Sequence, residues 1–211
     1  MNKFDFNTIK NFDDHIDKSI PNYDLLISAT QSISEYFFIK DSNVYDLGCS
    51  TGKLLKSIKT TCKKIGYDYS TLLPSSTNSE RFENVNLNDS FDLKNACLVY
   101  SIFTMQFLDP NKRLSYLKNI YEGLNEGGAL IICEKVYQND GKFQDILGFS
   151  HYDYKLNSFT SDEILNKERD LRYIMKPNTE IDLATLIDKA GFNKVTTFWQ
   201  MFNFKGYIAI K

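Results

Sequence analysis

The segment from Val44 to Gly52, which reads VYDLGCSTG, constrains the fold of this chain more than any other segment. A short apolar run leads into two glycines four positions apart, and a helical pattern begins near Lys53. Gly48 and Gly52 can adopt backbone angles closed to other residues and let a ligand approach the main chain. Open α/β sheets hold nucleotide-like ligands on such a strand, loop and helix. Since the three-glycine dinucleotide spacing is absent, an ordinary strand-to-helix turn is the alternative.

The composition favours a single globular domain over a secreted, membrane-spanning or nucleic-acid-binding protein. A chain of 211 residues that is 42% hydrophobic suits one globular domain. A formal net charge of −2 does not favour nucleic acid or anionic membrane surfaces as partners. The first residues are acidic where a signal peptide is apolar, and no run approaches about 20 apolar residues. The four cysteines form no C-x-x-C pair and there are two histidines, so we predict a cytoplasmic protein without a metal site.

Hydrophobic periodicity predicts alternating strands and helices within one domain, 1–211. We divide it into an N-terminal helical lid (1–40), a core (41–135), a mostly helical lid insertion (136–178), and a last helix with a hairpin (179–211). Within this plan we expect helices at Phe12–Ile20, Asp24–Phe38 and Thr179–Ala190, and strands at Val44–Leu47, Cys62–Asp68, Asn84–Asp89, Ala96–Phe103, Ala129–Cys133, Lys194–Gln200 and Phe204–Ile210.

Asp68 gives the glycine loop a more specific meaning. It ends the second predicted strand, about 20 residues beyond the loop, where an acid accepts hydrogen bonds from ribose hydroxyls. A turn aspartate is the alternative. Asn88 and Asp89 end the third predicted strand and are placed to contact an adenine edge. Together with the terminal antiparallel hairpin, these features predict an α/β class I methyltransferase (Rossmann-like) fold with a mostly parallel seven-stranded sheet. A dinucleotide dehydrogenase is the alternative.

Several further segments resemble one family within that class, the carboxy-S-adenosyl-L-methionine (carboxy-SAM) synthases. The resemblance runs from about Phe12 to Ile210, in the same order along the chain. Besides the glycine loop, it rests on NFDD at 11–14, SIPNY at 19–23, FTMQFL at 103–108, GLNEGGAL at 123–130, EK at 134–135, KAGF at 189–192 and WQMFNF at 199–204.

The resemblance implies S-adenosylmethionine (SAM), or its product S-adenosylhomocysteine, as the bound cofactor, with carboxy-SAM as a further ligand. It also implies a homodimer, for which the aromatic segment 136–178 could supply the interface, and a role in tRNA wobble-uridine modification with prephenate as carboxyl source. The cofactor-binding residues that we expect on this basis are Tyr23, Asp46, Gly48, Cys49, Ser50, Asp68, Tyr69, Asn88, Asp89 and Ser101.

Two departures separate this chain from the family pattern. Ile102 stands where the family has a cofactor-contacting Asn. Glu168 stands at the position of a lid Arg that pairs with the carboxylate of carboxy-SAM, and a one-residue shift would place Arg169 there instead. A carboxylate at this point would repel the ligand carboxylate, whereas Arg would pair with it in a bidentate manner.

The sequence leaves three alternative functions open. The first is a SAM-dependent transferase that moves a one-carbon group to an unidentified acceptor. The second is a divergent carboxy-SAM synthase, and the third is a SAM-binding protein without turnover. Our candidate catalytic residues are Gln106, Glu134 and Arg169, with Tyr152 or Tyr154 as further orienting groups; Glu134 could act as a base if burial raised its pKa.

Overall fold

The computed structural model describes residues 11–211, so the first ten residues of the predicted lid 1–40 lie outside the described part. Its centre is a seven-stranded sheet in the order β3-β2-β1-β4-β5-β7-β6. Strands β1 to β5 pair in parallel, whereas β7 runs antiparallel to both β5 and β6. The strands are β1 (Asn43–Leu47), β2 (Lys63–Asp68), β3 (Glu80–Asn84), β4 (Ala96–Ile102), β5 (Leu124–Lys135), β6 (Lys194–Met201) and β7 (Phe204–Ile210).

Helices cover both faces of this sheet. They are α1 (Phe12–Ser19), α2 (Tyr23–Ser34), α3 (Lys53–Ser57), α4 (Arg113–Gly123), α5 (Gly141–Lys155), α6 (Ser161–Ile174) and α7 (Glu180–Ala190). Within 11–211, none of these helices combines the length and the apolar composition needed to cross a bilayer.

The hydrophobic core lies on the two faces of the central strand β4. Every residue from Ala96 to Ser101 is buried, as expected for a parallel strand that is covered on both sides. One apolar cluster fills the side of α4 and α7, and a second fills the side of α2 and α3. The best-packed part of the sheet is therefore its middle, where β1 and β4 are neighbours.

Most element types agree with the predictions, and several boundaries do not. The strands β1, β2, β4 and the terminal hairpin, the helix α1, the mostly helical 136–178 segment and α7 are confirmed. Thr179 caps α7 by accepting the Asp182 N–H, and Gly191 ends it at φ +118°. By contrast, α2 begins at Tyr23 and stops at Ser34, before the predicted end at Phe38.

The third strand was predicted in the wrong place. The structure has β3 at Glu80–Asn84, upstream of the predicted Asn84–Asp89. The reason is a tertiary contact: Glu80 forms an ion pair of 2.6 Å with Lys64 of β2, which lets a polar side chain enter the sheet. Residues 86–89 form a turn, in which the Asn86 side chain accepts the Asn88 N–H.

The fifth strand is also longer than predicted. It begins at Leu124, directly after α4, so that the two glycines at 127–128 lie within β5. Lys211 explains this extension, because its N–H donates to the Gly128 carbonyl and its carbonyl accepts the Gly127 N–H. The long β5 carries Glu134 and Lys135 to the carboxyl end of the sheet.

Arg113 fastens the end of the 136–178 segment to the start of α4. The residue is 1% exposed, and its guanidinium donates to the carbonyls of Leu108 at 3.1 Å and Lys176 at 2.6 Å. It also donates to the Asn178 side-chain oxygen at 2.8 Å. Charge-assisted hydrogen bonds of this kind are about twice as strong as neutral ones. Arg113 therefore joins the loop after β4 to the segment that follows α6, and both line the candidate site.

Candidate functional site

A cavity of about 690 Å³ opens at the carboxyl ends of β1, β2 and β4. Its floor comes from the loops that follow these strands, and its cover comes from α1, the start of α2, α5 and α6. Open α/β sheets bind their ligands at this edge, since strand ends and helix starts meet there. The volume suits a ligand of nucleoside size.

The glycine loop forms one end of the cavity. Gly48 has φ +81°, and its N–H donates to the Tyr67 carbonyl at 2.7 Å. A Cβ on Gly48 would overlap the Thr104 side chain, with the Thr104 Cγ2 only 2.6 Å away. The loop after β1 and the loop after β4 are therefore in direct contact, and only glycine satisfies both the backbone angle and the space.

Asp68 holds the loops of β1 and β2 together. One carboxylate oxygen accepts the Ser50 N–H and the other accepts the Ser70 N–H, both at 2.8 Å. The buried Oγ atoms of Ser50 and Ser70 have no hydrogen-bond partner within residues 11–211. Unpaired buried hydroxyls are uncommon in native proteins and call for a missing partner. Here they line the cavity, so a bound ligand with donors and acceptors would supply that partner.

Asp46 and Tyr23 lie at the same end of the cavity. Burial, together with the neighbouring charge of Asp68, raises the pKa of Asp46 to about 8. Burial, together with Asp46, also raises the pKa of Tyr23, which stays a neutral phenol. At neutral pH, Asp46 therefore carries a proton, which a cationic ligand would displace.

The Asp46 carboxyl makes a testable contribution to the pH dependence of stability. Its pKa rises from 3.8 in a solvated reference to about 8 in the fold, so the folded protein keeps a proton that the unfolded chain releases. Stability is therefore lost as pH rises through this window. Between pH 5 and pH 8 we expect the free energy of unfolding to fall by up to about 4 kcal/mol more in the wild type than in Asp46→Asn.

Urea unfolding at several pH values between 5 and 8 measures this difference. The surface variant Asp92→Asn should retain the pH dependence of the wild type, because Asp92 is exposed and pairs with Lys94 away from the cavity. Identical pH profiles for the wild type and Asp46→Asn would contradict the expectation.

The structure brings most of the predicted site residues together. The cavity wall includes Tyr23, Asp46, Gly48, Ser50, Asp68, Tyr69, Asn88 and Gln106. Three predicted contacts lie elsewhere. Cys49 is buried against Phe82 and its neighbours, the Ser101 hydroxyl is buried and accepts from the Tyr116 hydroxyl, and Asp89 is exposed outside the wall.

Two candidate catalytic residues, Gln106 and Glu134, occupy adjacent positions, after β4 and near the end of β5. The Gln106 side-chain oxygen accepts the Lys135 N–H at 2.8 Å, and Gln106 lines the cavity. Glu134 is 2% exposed, accepts the Met105 N–H at 2.9 Å and is not part of the wall. Burial raises the pKa of Glu134 to about 8 despite the opposing effect of Arg113. The raised pKa that a general base needs is therefore present in Glu134, but its carboxyl group faces the backbone of Met105 and not the cavity.

Helix α6 places Glu168 at the cavity and turns Arg169 away from it. Glu168 lines the wall, whereas Arg169 is exposed, and its nearest recorded hydrogen bond is a long one of 3.4 Å to Asn166 on the same helix. The one-residue shift that would bring Arg169 to the ligand is thus not what α6 adopts. The physical reason is helical geometry, since successive residues point about 100° apart.

Sequence reasoning missed a set of basic residues in the lid end of the wall. Lys135 ends β5, Lys155 ends α5 and Lys167 precedes Glu168 on α6, and all three line the cavity. Lys167 contacts the His15 ring nitrogen and donates to the Ser19 hydroxyl at 3.3 Å, which joins α6 to α1. Burial, with Lys155 nearby, lowers the pKa of Lys167 to about 7. No local pattern marked these lysines, because they come from three separate elements.

Comparison with known proteins gives relatives over nearly the whole chain. No family model matches the sequence. Carboxy-S-adenosyl-L-methionine synthase of Staphylococcus epidermidis is 35% identical over 214 residues, which are 97% of this chain and 94% of that protein. The proteins of the same name from Shewanella pealeana and Shewanella sediminis are 35% and 36% identical over 224 residues, covering 99% of this chain and 92% of each.

Solved structures resemble this chain in fold. Human N-acetylserotonin methyltransferase in complex with SAM superposes with a TM-score of 0.57 at 18% identity, over 80% of this chain and 47% of that one. A putative O-methyltransferase of Nostoc punctiforme gives a TM-score of 0.63 at 13% identity, over 89% of this chain and 56% of that one. The predicted class I methyltransferase fold is thereby confirmed.

Proposed function

The chain belongs to the carboxy-SAM synthase family, and from this premise we propose that it transfers a one-carbon group from SAM to an acceptor. Family and fold together make the protein a SAM-dependent transferase. The observation that carries the proposal is the unsatisfied polar edge of the cavity, where the Ser50 and Ser70 hydroxyls lie beside the Asp68 carboxylate.

The residues present fit SAM by their chemistry. Asp68 has two oxygens that each already accept one N–H, and each retains a lone pair for a ribose hydroxyl. Asp46 and Tyr23 provide an acidic, partly desolvated surface for the cationic part of the cofactor. Gly48 and Ser50 allow close approach to the loop, and Tyr69 and Asn88 lie at the adenosine end. When SAM is bound, its sulfonium would make the carbon to be transferred susceptible to attack by a nucleophile.

The protein's own share of the chemistry is positioning and exclusion of water. Holding two reactants in line can supply about 7–11 kcal/mol of the barrier. Ile102, Phe103 and Leu171 give the cavity an apolar region. Gln106 offers an amide to orient the acceptor, and its side-chain oxygen is held by the Lys135 N–H. We assign Glu134 a positioning role, because it holds the Met105 N–H within the loop that carries Gln106. For Arg169, which is exposed, we propose no contact with the ligand inside a single chain.

Carboxy-SAM synthesis is the second candidate, favoured by 35% identity to synthases over 97% of the chain. Ile102 and Glu168, both in the cavity wall, weigh against it. A SAM-binding protein without turnover is the third candidate. The lid roles of 1–40 and 136–178 within one domain, 1–211, are part of our proposal, and they are supported by the position of α1, α5 and α6 over the cavity.

Mass spectrometry separates these candidates. Incubation with SAM and prephenate should give no product heavier than SAM by the mass of CO₂ if the first candidate holds, and that product would establish the second. Incubation with SAM and a broad acceptor panel should release S-adenosylhomocysteine. Calorimetric titration with S-adenosylhomocysteine tests the shared premise, and a lack of binding would overturn all three.

The assembly and the cellular setting belong to the same proposal. We infer a homodimer through the outer face of α5, where Phe143, Ile146 and Phe149 are 61%, 49% and 65% exposed. Exposed apolar side chains at such spacing favour a protein interface. Light scattering of the wild type and of a Phe149→Lys variant tests this, since a dimer should become a monomer. We also propose a cytoplasmic role connected with tRNA modification, which is what the sequence resemblance to carboxy-SAM synthases implies.

A further inference from the structure

Two largely buried lysines at the lid end of the cavity share one carboxylate. Lys155 donates to Glu168 Oε1 at 3.1 Å, and Lys135 approaches Glu168 Oε2 at 3.7 Å. The three side chains are only 5%, 12% and 13% exposed. Within residues 11–211, no other carboxylate is recorded at ion-pair distance from either lysine. Glu168 is therefore the sole anionic partner recorded there for two desolvated cations.

Glu168 is held in the charged form. Burial by itself would raise the pKa of Glu168, but Lys135 and Lys155 outweigh burial and lower it. A buried ammonium without a counter-ion is costly, so the two lysines also depend on this carboxylate. Lys135 and Lys155 thus form an anion-binding site, and the Glu168 carboxylate already occupies it.

The acidic and basic side chains that line the cavity come from different elements. Asp46 and Asp68 lie at the glycine-loop end, whereas Lys135, Lys155 and Lys167 lie at the lid end. If the adenosine and amino-acid parts of SAM occupy the acidic end, the transferred carbon points toward the apolar and lid residues. A carboxylate on that carbon would then lie against the Glu168 carboxylate, because Glu168 already pairs with Lys135 and Lys155.

Resting on the proposed binding of SAM, we propose that Glu168 is a selectivity residue. Its carboxylate fills the anion position of Lys135 and Lys155, so the site accepts the uncarboxylated sulfonium and rejects a ligand that carries a carboxylate on the transferred carbon. A tethered group competes at high effective concentration against any free one. Like charges placed together in a desolvated site are strongly unfavourable.

Calorimetry with two ligands tests this proposal. SAM and carboxy-SAM are titrated into the wild type, Glu168→Gln and the control Asp153→Asn, which removes an exposed carboxylate from α5. We expect the wild type and the control to bind SAM at least about tenfold more tightly than carboxy-SAM, as one unfavourable charge contact implies. Glu168→Gln should reverse this preference, because the amide keeps the shape of the side chain and frees the lysine pair.

The outcomes are distinct. Equal or tighter binding of carboxy-SAM by the wild type would overturn the proposal, and so would an unchanged ligand ratio in Glu168→Gln. If Glu168→Gln does not fold, as judged by circular dichroism, the wild-type ratio decides alone. A lack of binding of either ligand to any folded variant would instead overturn the proposed SAM function, whereas SAM binding without selectivity would overturn only the role of Glu168.

Discussion

Gly48→Ala is expected to destabilise the protein by about 2 to 5 kcal/mol and to remove binding of S-adenosylhomocysteine. Two penalties combine. At φ +81° a Cβ is strained by about 1–2 kcal/mol, and the same Cβ would overlap Thr104 across the loop contact. The overlap costs a further ~1–3 kcal/mol, because Thr104 lies in the packed connection that follows β4.

Gly127→Ala is the matched control for this prediction. Gly127 has a similar φ of +75°, but a Cβ there meets no atom within 4 Å. It should therefore show the backbone strain alone and bind the ligand as the wild type does. Urea unfolding measures both variants at one pH, and calorimetry follows the ligand. Equal losses of stability in the two variants would show that the Thr104 contact has no energetic effect.

Asp68→Ala is expected to weaken binding of S-adenosylhomocysteine by about 100-fold or more. Asp68 supplies the acceptor oxygens for the proposed ribose hydroxyls, and hydrogen bonds to a charged group are each worth about 1.5–3 kcal/mol. It also accepts the Ser50 and Ser70 N–H groups, so its loss leaves two loops without their shared partner. At about 1.4 kcal/mol per factor of ten, these losses account for the expected change.

Two further variants sharpen this test. Asp92→Ala removes an exposed carboxylate beside Lys94 and should leave affinity unchanged. Asp68→Asn keeps one acceptor oxygen and should fall between the wild type and Asp68→Ala. Calorimetric titration of all three measures the effect. If Asp68→Ala bound as tightly as Asp92→Ala, the ribose assignment would be wrong.

The glycine-loop half of the site was predictable because its signals are local. Gly48 and Ser50 follow β1 directly, and Asp68 ends the next strand at the spacing that one intervening helix requires. Tyr69 follows Asp68 and also lines the wall. Ser70 was missed, although it lies only two residues beyond Asp68, since a serine in a polar loop has no distinctive pattern.

The predicted position of β3 was wrong because the interactions that determine this strand are not local in the sequence. Its sequence, ERFEN, has one apolar residue that faces the core, and strand patterns depend on alternation of several. What makes it a strand is pairing with β2 and the ion pair of Glu80 with Lys64. Neither contact is visible within a short window of sequence.

By itself, the sequence determined the fold class, the order of the elements and the acidic end of the cavity. Each of these depends on residues close together in the chain, such as Gly48 with Ser50, or on the regular spacing of strands and helices. Only the tertiary structure decided the lid end. Glu168 faces the cavity and pairs with Lys135 and Lys155 because β5, α5 and α6 converge there, and the packing of these elements sets which helix face turns inward.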